Sequence, residues 1–176
     1  MSAASAAEAP SKWINAGTYV LEPSVLDRIA PDVPVNVERV TFPEMVADGS
    51  LHAYDGDTYW LDAGTPPTYL TANLDLINGR RGPAEAGVHP DAEVDGAVAG
   101  AVVGSGAQVA EGAIVSGSVV LPGARIGPGA LVQDAIIGAR AQVGEGAIVD
   151  GGAVLGDDVV VEAGGQARGV RIPEAG

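Results

Sequence analysis

The chain has no cysteine, which rules out disulfides and any thiolate-held zinc. Aromatics are nearly as scarce, at 4% of 176 residues, with a single phenylalanine. A core of ordinary type at this length would lean on such rings. Basic residues are few: nine Lys and Arg against 23 Asp and Glu leave a formal charge of −14. That field disfavours nucleic acid and anionic membrane as partners. A phosphate-bearing ligand would need a metal ion or local amides to approach it. No apolar run nears the length of a membrane span. The Ala/Ser-rich start, Met1 to Pro10, lacks the basic and apolar parts of a secretory leader. A cytoplasmic location is expected.

What the chain has instead is glycine, 26 of them, beside 47% hydrophobic residues that are mostly Val, Ile and Ala. From about Val88 this composition becomes a repeat. AVVGSGAQV ends at Val109, SVVLPGARI at Ile126, AIIGARAQV at Val143 and AVLGDDVVV at Val161, at steps of 17, 17 and 18 residues. Within each step an aliphatic recurs every five or six positions: Val103, Val109, Val115, Val120, Ile126, Val132, Ile137, Val143, Val149, Leu155 and Val161. A small residue often follows four later, as at Ala107, Ala113, Ala124, Ala130, Ala141 and Ala147. Each hexad predicts one short strand and one corner, and three hexads close one coil of a triangular prism. Aliphatic side chains then point inward and stack on their equivalents one strand spacing away, about 4.8 Å. A flexible Gly/Ala linker would not keep its Val and Ile in register. The repeat resembles the hexapeptide-repeat family, which implies a left-handed parallel β-helix; the spacing itself carries no hand.

The region before it, to about Gly79, alternates strand-like and helix-like segments, an α/β pattern. Trp13 to Leu21, Leu51 to Tyr54 and Thr58 to Leu61 read as strands, the last two around the Asp55-Gly56-Asp57 turn. Ser24 to Asp27 has the form of a capping box. Val37 to Asp48 reads as a helix that Pro43 must break or restart. Thr65 caps a helix with Pro66 at its first position, and Tyr69, Leu70, Asn73, Leu74 and Ile77 keep helical spacing until Asn78-Gly79.

Three segments of this region carry chemistry. In Trp13-Ile-Asn15-Ala-Gly17-Thr-Tyr19, the Asn15 amide can donate to and accept from vicinal hydroxyls, and Gly17 clears space for a ring. The same residues also suit a simple bulge in a strand. In Tyr59-Trp-Leu-Asp62-Ala-Gly-Thr65-Pro66, Asp62 stands before a helix N-terminus, where it suits a metal ion or merely a turn. Between them lie Val37-Glu38-Arg39 and Phe42-Pro43. Jointly these resemble the N-A-G, W-x-D-x-G-T-P and V-E-x-x-x-F-P segments of the sugar-1-phosphate nucleotidyltransferases, most like the mannose-1-phosphate guanylyltransferase type. The resemblance implies a Rossmann-like catalytic domain, of which residues 1–80 would be the C-terminal, sugar-binding portion. Residues 81–87 would be a linker, 88–165 the β-helix and 166–176 a tail. It implies that Asn15 and Gly17 bind sugar, that Asp62 is a ligand of Mg²⁺, and that Glu38 is structural. It implies a sugar 1-phosphate and a nucleoside triphosphate, GTP by type, as substrates, with thymidylyl or uridylyl transfer also open.

Other parts of the pattern have no counterpart: the Gly-rich loop G-G-x-G-T-R-L, the following P-K, the upstream metal aspartate, and the lysine of E-K-P. Glu8-Ala-Pro10 lacks that lysine, and Lys12, the one lysine of the chain, reads as a surface residue. The chain therefore corresponds to the back half of such an enzyme and is expected to be inactive alone. It is expected to form homo-oligomers or to associate with a full-length nucleotidyltransferase, and a non-catalytic sugar-nucleotide-binding or assembly subunit is the alternative reading. Among hexapeptide proteins, two histidines, His52 and His89, are too few for a three-histidine carbonic anhydrase. An acyltransferase would have to rely on His89, which more simply marks the start of the prism.

Overall fold

A computed structural model describes residues 13–56 and 58–173. Glu8-Ala-Pro10, Lys12 and Asp57 lie outside the described residues. The chain forms two compact units that divide between residues 60 and 61. Asp62 and the helix that follows it thus belong with the prism rather than with the segment that precedes them.

The second unit is a parallel β-helix of three five-stranded sheets, one strand of each sheet per coil. The first sheet stacks Glu93–Val94, Gln108–Val109, Arg125–Ile126, Gln142–Val143 and Val160–Val161. The second stacks Ala97–Ala99, Ile114–Ser116, Leu131–Gln133, Ile148–Asp150 and Gln166–Arg168. The third stacks Val102–Val103, Val119–Val120, Ile136–Ile137, Val154–Leu155 and Arg171–Ile172. The last strands of the second and third sheets lie within the stretch 166–176 expected as a tail.

Register follows the aliphatic spacing. Val109 pairs with Ile126, Ile126 with Val143 and Val143 with Val161. Val103, Val109, Val115, Val120, Ile126, Val132, Ile137, Val143, Val149 and Leu155 are all buried in one cluster with the corner alanines, and Val161 packs on it partly buried. Ser118 takes an alanine position inside the prism; its hydroxyl donates to the Ser116 carbonyl at 2.7 Å and accepts the Ala135 N–H of the next coil at 3.1 Å. A buried hydroxyl is tolerated there because both partners are present. The 18-residue step is absorbed at one corner. Val132 pairs with Val149, 17 residues on, but Ile137 pairs with Leu155, 18 on. The additional residue therefore lies between Val149 and Leu155, where Gly151 and Gly152 both take positive φ, 67° and 83°. Glycine enters that region without the Cβ clash that other residues meet.

The helix Pro66–Ile77, α2, begins as expected. The Thr65 hydroxyl accepts the Thr68 N–H at 3.4 Å while the Thr68 hydroxyl accepts the Thr65 N–H at 3.1 Å, a capping box closed by threonine instead of Glu or Gln. It ends at Asn78-Gly79 and lies against the first coil at Val102–Val103. His89 opens the prism: its N–H donates to the Val103 carbonyl at 2.9 Å and its Nδ1 accepts the Asp91 N–H at 3.2 Å. No helix among the described residues is long and apolar enough to cross a membrane.

The first unit has a small core of Val25, Phe42 and Met45, with Val37 and Leu51 against it. Here several expectations change. The segments 13–21, 51–54 and 58–61 carry no strand among the described residues; strand propensity becomes a strand only within a paired ladder. Ser24 does not cap a helix; Pro23–Arg28 is a 3₁₀ turn with Ser24 inside it and no side-chain cap. The helix expected over 37–48 is shorter, Thr41–Ala47 (α1). Pro43 is its third residue, inside the first turn, where no intrahelical N–H is required.

Two measurements test the prism. Ile137→Ala, at a fully buried site, is expected to cost about 2–5 kcal/mol by chemical denaturation, whereas Val160→Ala, half exposed, should change stability by less than about 0.5 kcal/mol. On the surface, the Arg140 guanidinium donates two hydrogen bonds to Asp158 of the next coil, at 2.8 and 2.7 Å, and holds that carboxyl below its usual range. A depressed carboxyl stabilises the fold above the unfolded value near 3.9 and loses that contribution as pH falls through the lower folded value. Carboxyl NMR should show Asp158 titrating below an ordinary aspartate, and at the ordinary value in Arg140→Gln.

Candidate functional site

Asn15 and Gly17 form an Asx turn, in which Asn15 Oδ1 accepts the Gly17 N–H at 2.9 Å. Gly17 has φ +71°, and a Cβ built on it would meet nothing within 4 Å. Glycine is thus set by backbone conformation, and the turn faces open space. The other end of the Asn15 amide is engaged twice: Nδ2 donates to the Tyr19 hydroxyl at 2.6 Å and to Glu38 Oε1 at 3.1 Å. The Tyr19 hydroxyl donates to the same Glu38 oxygen, and its ring stands edge-on to Phe42 with centroids 4.8 Å apart. Glu38 lies in the turn preceding α1, so the N-A-G turn is fastened to a point 23 residues away. Its hydrogen bond to Glu38 raises the Tyr19 phenol above its ordinary value near 10, an effect the Asn15 contact partly opposes.

Sequence reasoning singled out Asn15 and Gly17 and read Glu38 as structural; it did not connect the three. The available signal was a tyrosine four residues after Asn15 in a segment with no buried place for a phenol.

Asp62 sits in the other unit and repeats the same local device. Its Oδ1 accepts the Gly64 N–H at 2.9 Å, just ahead of the Thr65 cap. It is exposed. Among the described residues no three His, Cys, Asp or Glu side chains gather into a metal cage. One carboxylate fills only a single place in the near-octahedral oxygen shell of Mg²⁺, and the other ligands have to come from other groups, phosphates or water. The described residues do not by themselves fit a resident ion. Of the cations among the described residues of the first unit, Arg28 is paired with Asp48 at 2.6 Å and Arg39 is exposed.

Residues 83–173 match the family model described as the GMPPB C-terminal domain. The chain belongs to this family. Residues 4–79 match the nucleotidyl transferase model, so the member carries a segment of transferase type ahead of its β-helix. Its curated relatives include the mannose-1-phosphate guanylyltransferase of Mycobacterium tuberculosis, 41% identical over 115 residues that cover 58% of this chain and 32% of the relative. The mannose-1-phosphate guanyltransferase of Schizosaccharomyces pombe is 46% identical over 71 residues, 40% of this chain and 19% of the relative. That of Emericella nidulans is 50% identical over 58 residues, 33% of this chain and 16% of the relative. The matched part thus spans a third or less of each relative's length.

The Tyr19 contact sets a pH dependence. A phenol whose folded value is raised stabilises the fold fully below about pH 10 and loses that contribution as pH rises through the folded value. The Tyr19 Cζ resonance is expected to titrate above the ordinary phenol value, and Glu38→Gln should lower its titration.

Proposed function

We propose that this GMPPB-family chain supplies the sugar side of a mannose-1-phosphate guanylyl transfer. In that reaction an oxygen of the sugar phosphate attacks the α-phosphorus of GTP. The new P–O bond replaces the bond to the β-phosphate, and pyrophosphate leaves. Catalysis of this kind rests on aligning two anions and neutralising their repulsion. Asn15 and Gly17 form the sugar-facing turn, and Asp62 contributes one carboxylate to a Mg²⁺ completed by ligands from elsewhere and by the phosphates. The observation that carries the reading is the N-A-G turn held open to solvent at Gly17 by Asn15 and Glu38, inside the segment matched to the nucleotidyl transferases.

The isolated chain does not turn over in this reading. The cationic, nucleotide-facing groups of such a reaction have no counterpart among its described residues: Arg28 is committed to Asp48. A second role is supported by the exposed apolar residues of the first unit. Val20 and Tyr54 are almost fully exposed, and Trp13 and Ile14 are two-thirds exposed. Single exposed apolar residues are ordinary, but this density in one small unit suits association with another nucleotidyltransferase polypeptide.

Purified chain with mannose 1-phosphate, GTP and Mg²⁺ is expected to yield no GDP-mannose; its appearance would overturn the inactive reading. In a hybrid where this sequence replaces the matching region of the Mycobacterium tuberculosis relative, Asp62→Asn should lower kcat/KM by about a hundredfold or more, the scale of losing a group that stabilises the transition state. Unchanged activity would remove Asp62 from the metal site.

A further inference from the structure

We propose that the second sheet of the prism is a self-pairing face, on which two copies of this chain meet face to face about a twofold axis that runs along the strands and passes through Leu131. This surface is independent of the sugar-side reading above: no step of the transfer uses it.

The strand pattern builds the face. Val115, Val132, Val149 and Ala167 are the buried middle residues of their strands, so the residues on either side of each point outward. One outward column is Ala97, Ile114, Leu131, Ile148 and Gln166, in register from coil to coil. Ile114 is 49% exposed, Leu131 and Ile148 are half-buried, and no charge interrupts the column. The second column, Ala99, Ser116, Gln133, Asp150 and Arg168, holds one acid and one base, and these pair with each other at 3.5 Å. In a chain of net charge −14, a neutral face with an apolar centre is where two copies approach with least repulsion.

The other two faces do not suit a second copy. The first sheet presents Arg125 at the middle of its outward column, between Gln108 and Gln142, so a copy paired about the same kind of axis would set arginine against arginine. On the third sheet α2 already lies against Val102–Val103, and the outward Val119 and Ile136 are buried. The second sheet, by contrast, is complementary to itself about its centre. With the coils of the two copies running in opposite directions, Leu131 meets Leu131 and Ile114 meets Ile148. The Ser116 hydroxyl then faces Asp150, and Arg168 lies over the small Ala99. Contacts between unlike residues occur twice, as an isologous interface requires. Five coils about 4.8 Å apart and a side of one hexad give a face of roughly 25 by 15 Å. That is less than the about 800 Å² per partner of a standard complex, so the pairing is weak and follows concentration.

Sedimentation equilibrium of the whole chain tests the pairing. The wild type is expected to pass from monomer to dimer as its concentration rises from about 1 μM to about 1 mM, and a monomer throughout that range overturns the proposal. Leu131→Glu sets like charges on the axis and should weaken association at least about thirtyfold, the scale of a central interface residue. Gln142→Glu puts the same charge on the first sheet and should leave association within about threefold of wild type. A dimer as tight in Leu131→Glu as in the wild type overturns the proposal and moves the contact to another surface. Ile114→Lys and Ile148→Glu, each expected to associate poorly alone, should recover wild-type association to within about threefold when mixed in equal amounts, because opposed coils bring these two positions together. Coils running the same way would bring each position against itself and give no such recovery. Misfolded chains would not recover on mixing either, so recovery separates a lost contact from a lost fold. Its failure, or dimers of either variant as tight as the wild type, overturns the arrangement.

Discussion

Everything in the β-helix depends on one vertical constraint: an inward aliphatic of each coil must land on its counterpart in the next. Parallel strands sit about 4.8 Å apart, and only side chains stacked at that spacing exclude water without voids. The pairing of Val109, Ile126, Val143 and Val161 in one continuous ladder is that constraint made visible. A length change must therefore be confined to a corner, where no side chain is stacked. Gly151-Gly152 absorbs the single additional residue there, and the following strands regain register at Leu155 and Val161. Small alanines at the corners, instead of large rings, let the three walls approach. The scarcity of aromatics follows from the geometry of the prism.

The same constraint explains why the prism carries little chemistry. Its interior is filled, so polar groups are driven to the rim, where water screens them. Arg140 and Asp158 stand at positive-φ corners of successive coils, φ 58° and 60°, and pair with each other along the coil direction. Asp150 and Arg168, register partners in neighbouring strands, also pair between coils, at 3.5 Å. These contacts run between coils and reinforce the stack. His89 closes the turn that opens the prism, its Nδ1 accepting the Asp91 N–H. A functional reading has to come from the segment ahead of it.

How legible each part was depends on how local its cause is. Ten of the eleven fully buried aliphatics from Val103 to Leu155, all but Val119, and six of the ten buried alanines could be named from spacing alone, because the repeat makes every contact a nearest-neighbour contact. The helix α2 was legible at both ends, since Thr65-Pro66 and Asn78-Gly79 act within one turn. Strands at Trp13 to Leu21 and Leu51 to Leu61 were not, because strand propensity becomes a strand only against a partner, and the sequence shows the propensity without showing the partner. Glu38 lay between these cases. Its residue type and its distance from Asn15 were plain, but a hydrogen bond across 23 positions has no periodic signature.

Two X-Ala-Gly turns of the chain are closed by side chains of different chemistry. Asn15-Ala-Gly17 and Asp62-Ala-Gly64 use the same bond, a side-chain Oδ1 accepting the N–H two residues on, at 2.9 Å in each. An amide closing such a turn still has its N–H donors to place, and here Nδ2 donates toward Tyr19 and Glu38. A carboxylate closing it has no proton to place, and its two oxygens offer about four acceptor positions, of which one N–H uses one. The choice of Asn in one turn and Asp in the other thus separates shape from charge: the amide ties its turn to Tyr19 and Glu38, whereas the carboxylate closes its own with one oxygen and leaves acceptor positions at the surface.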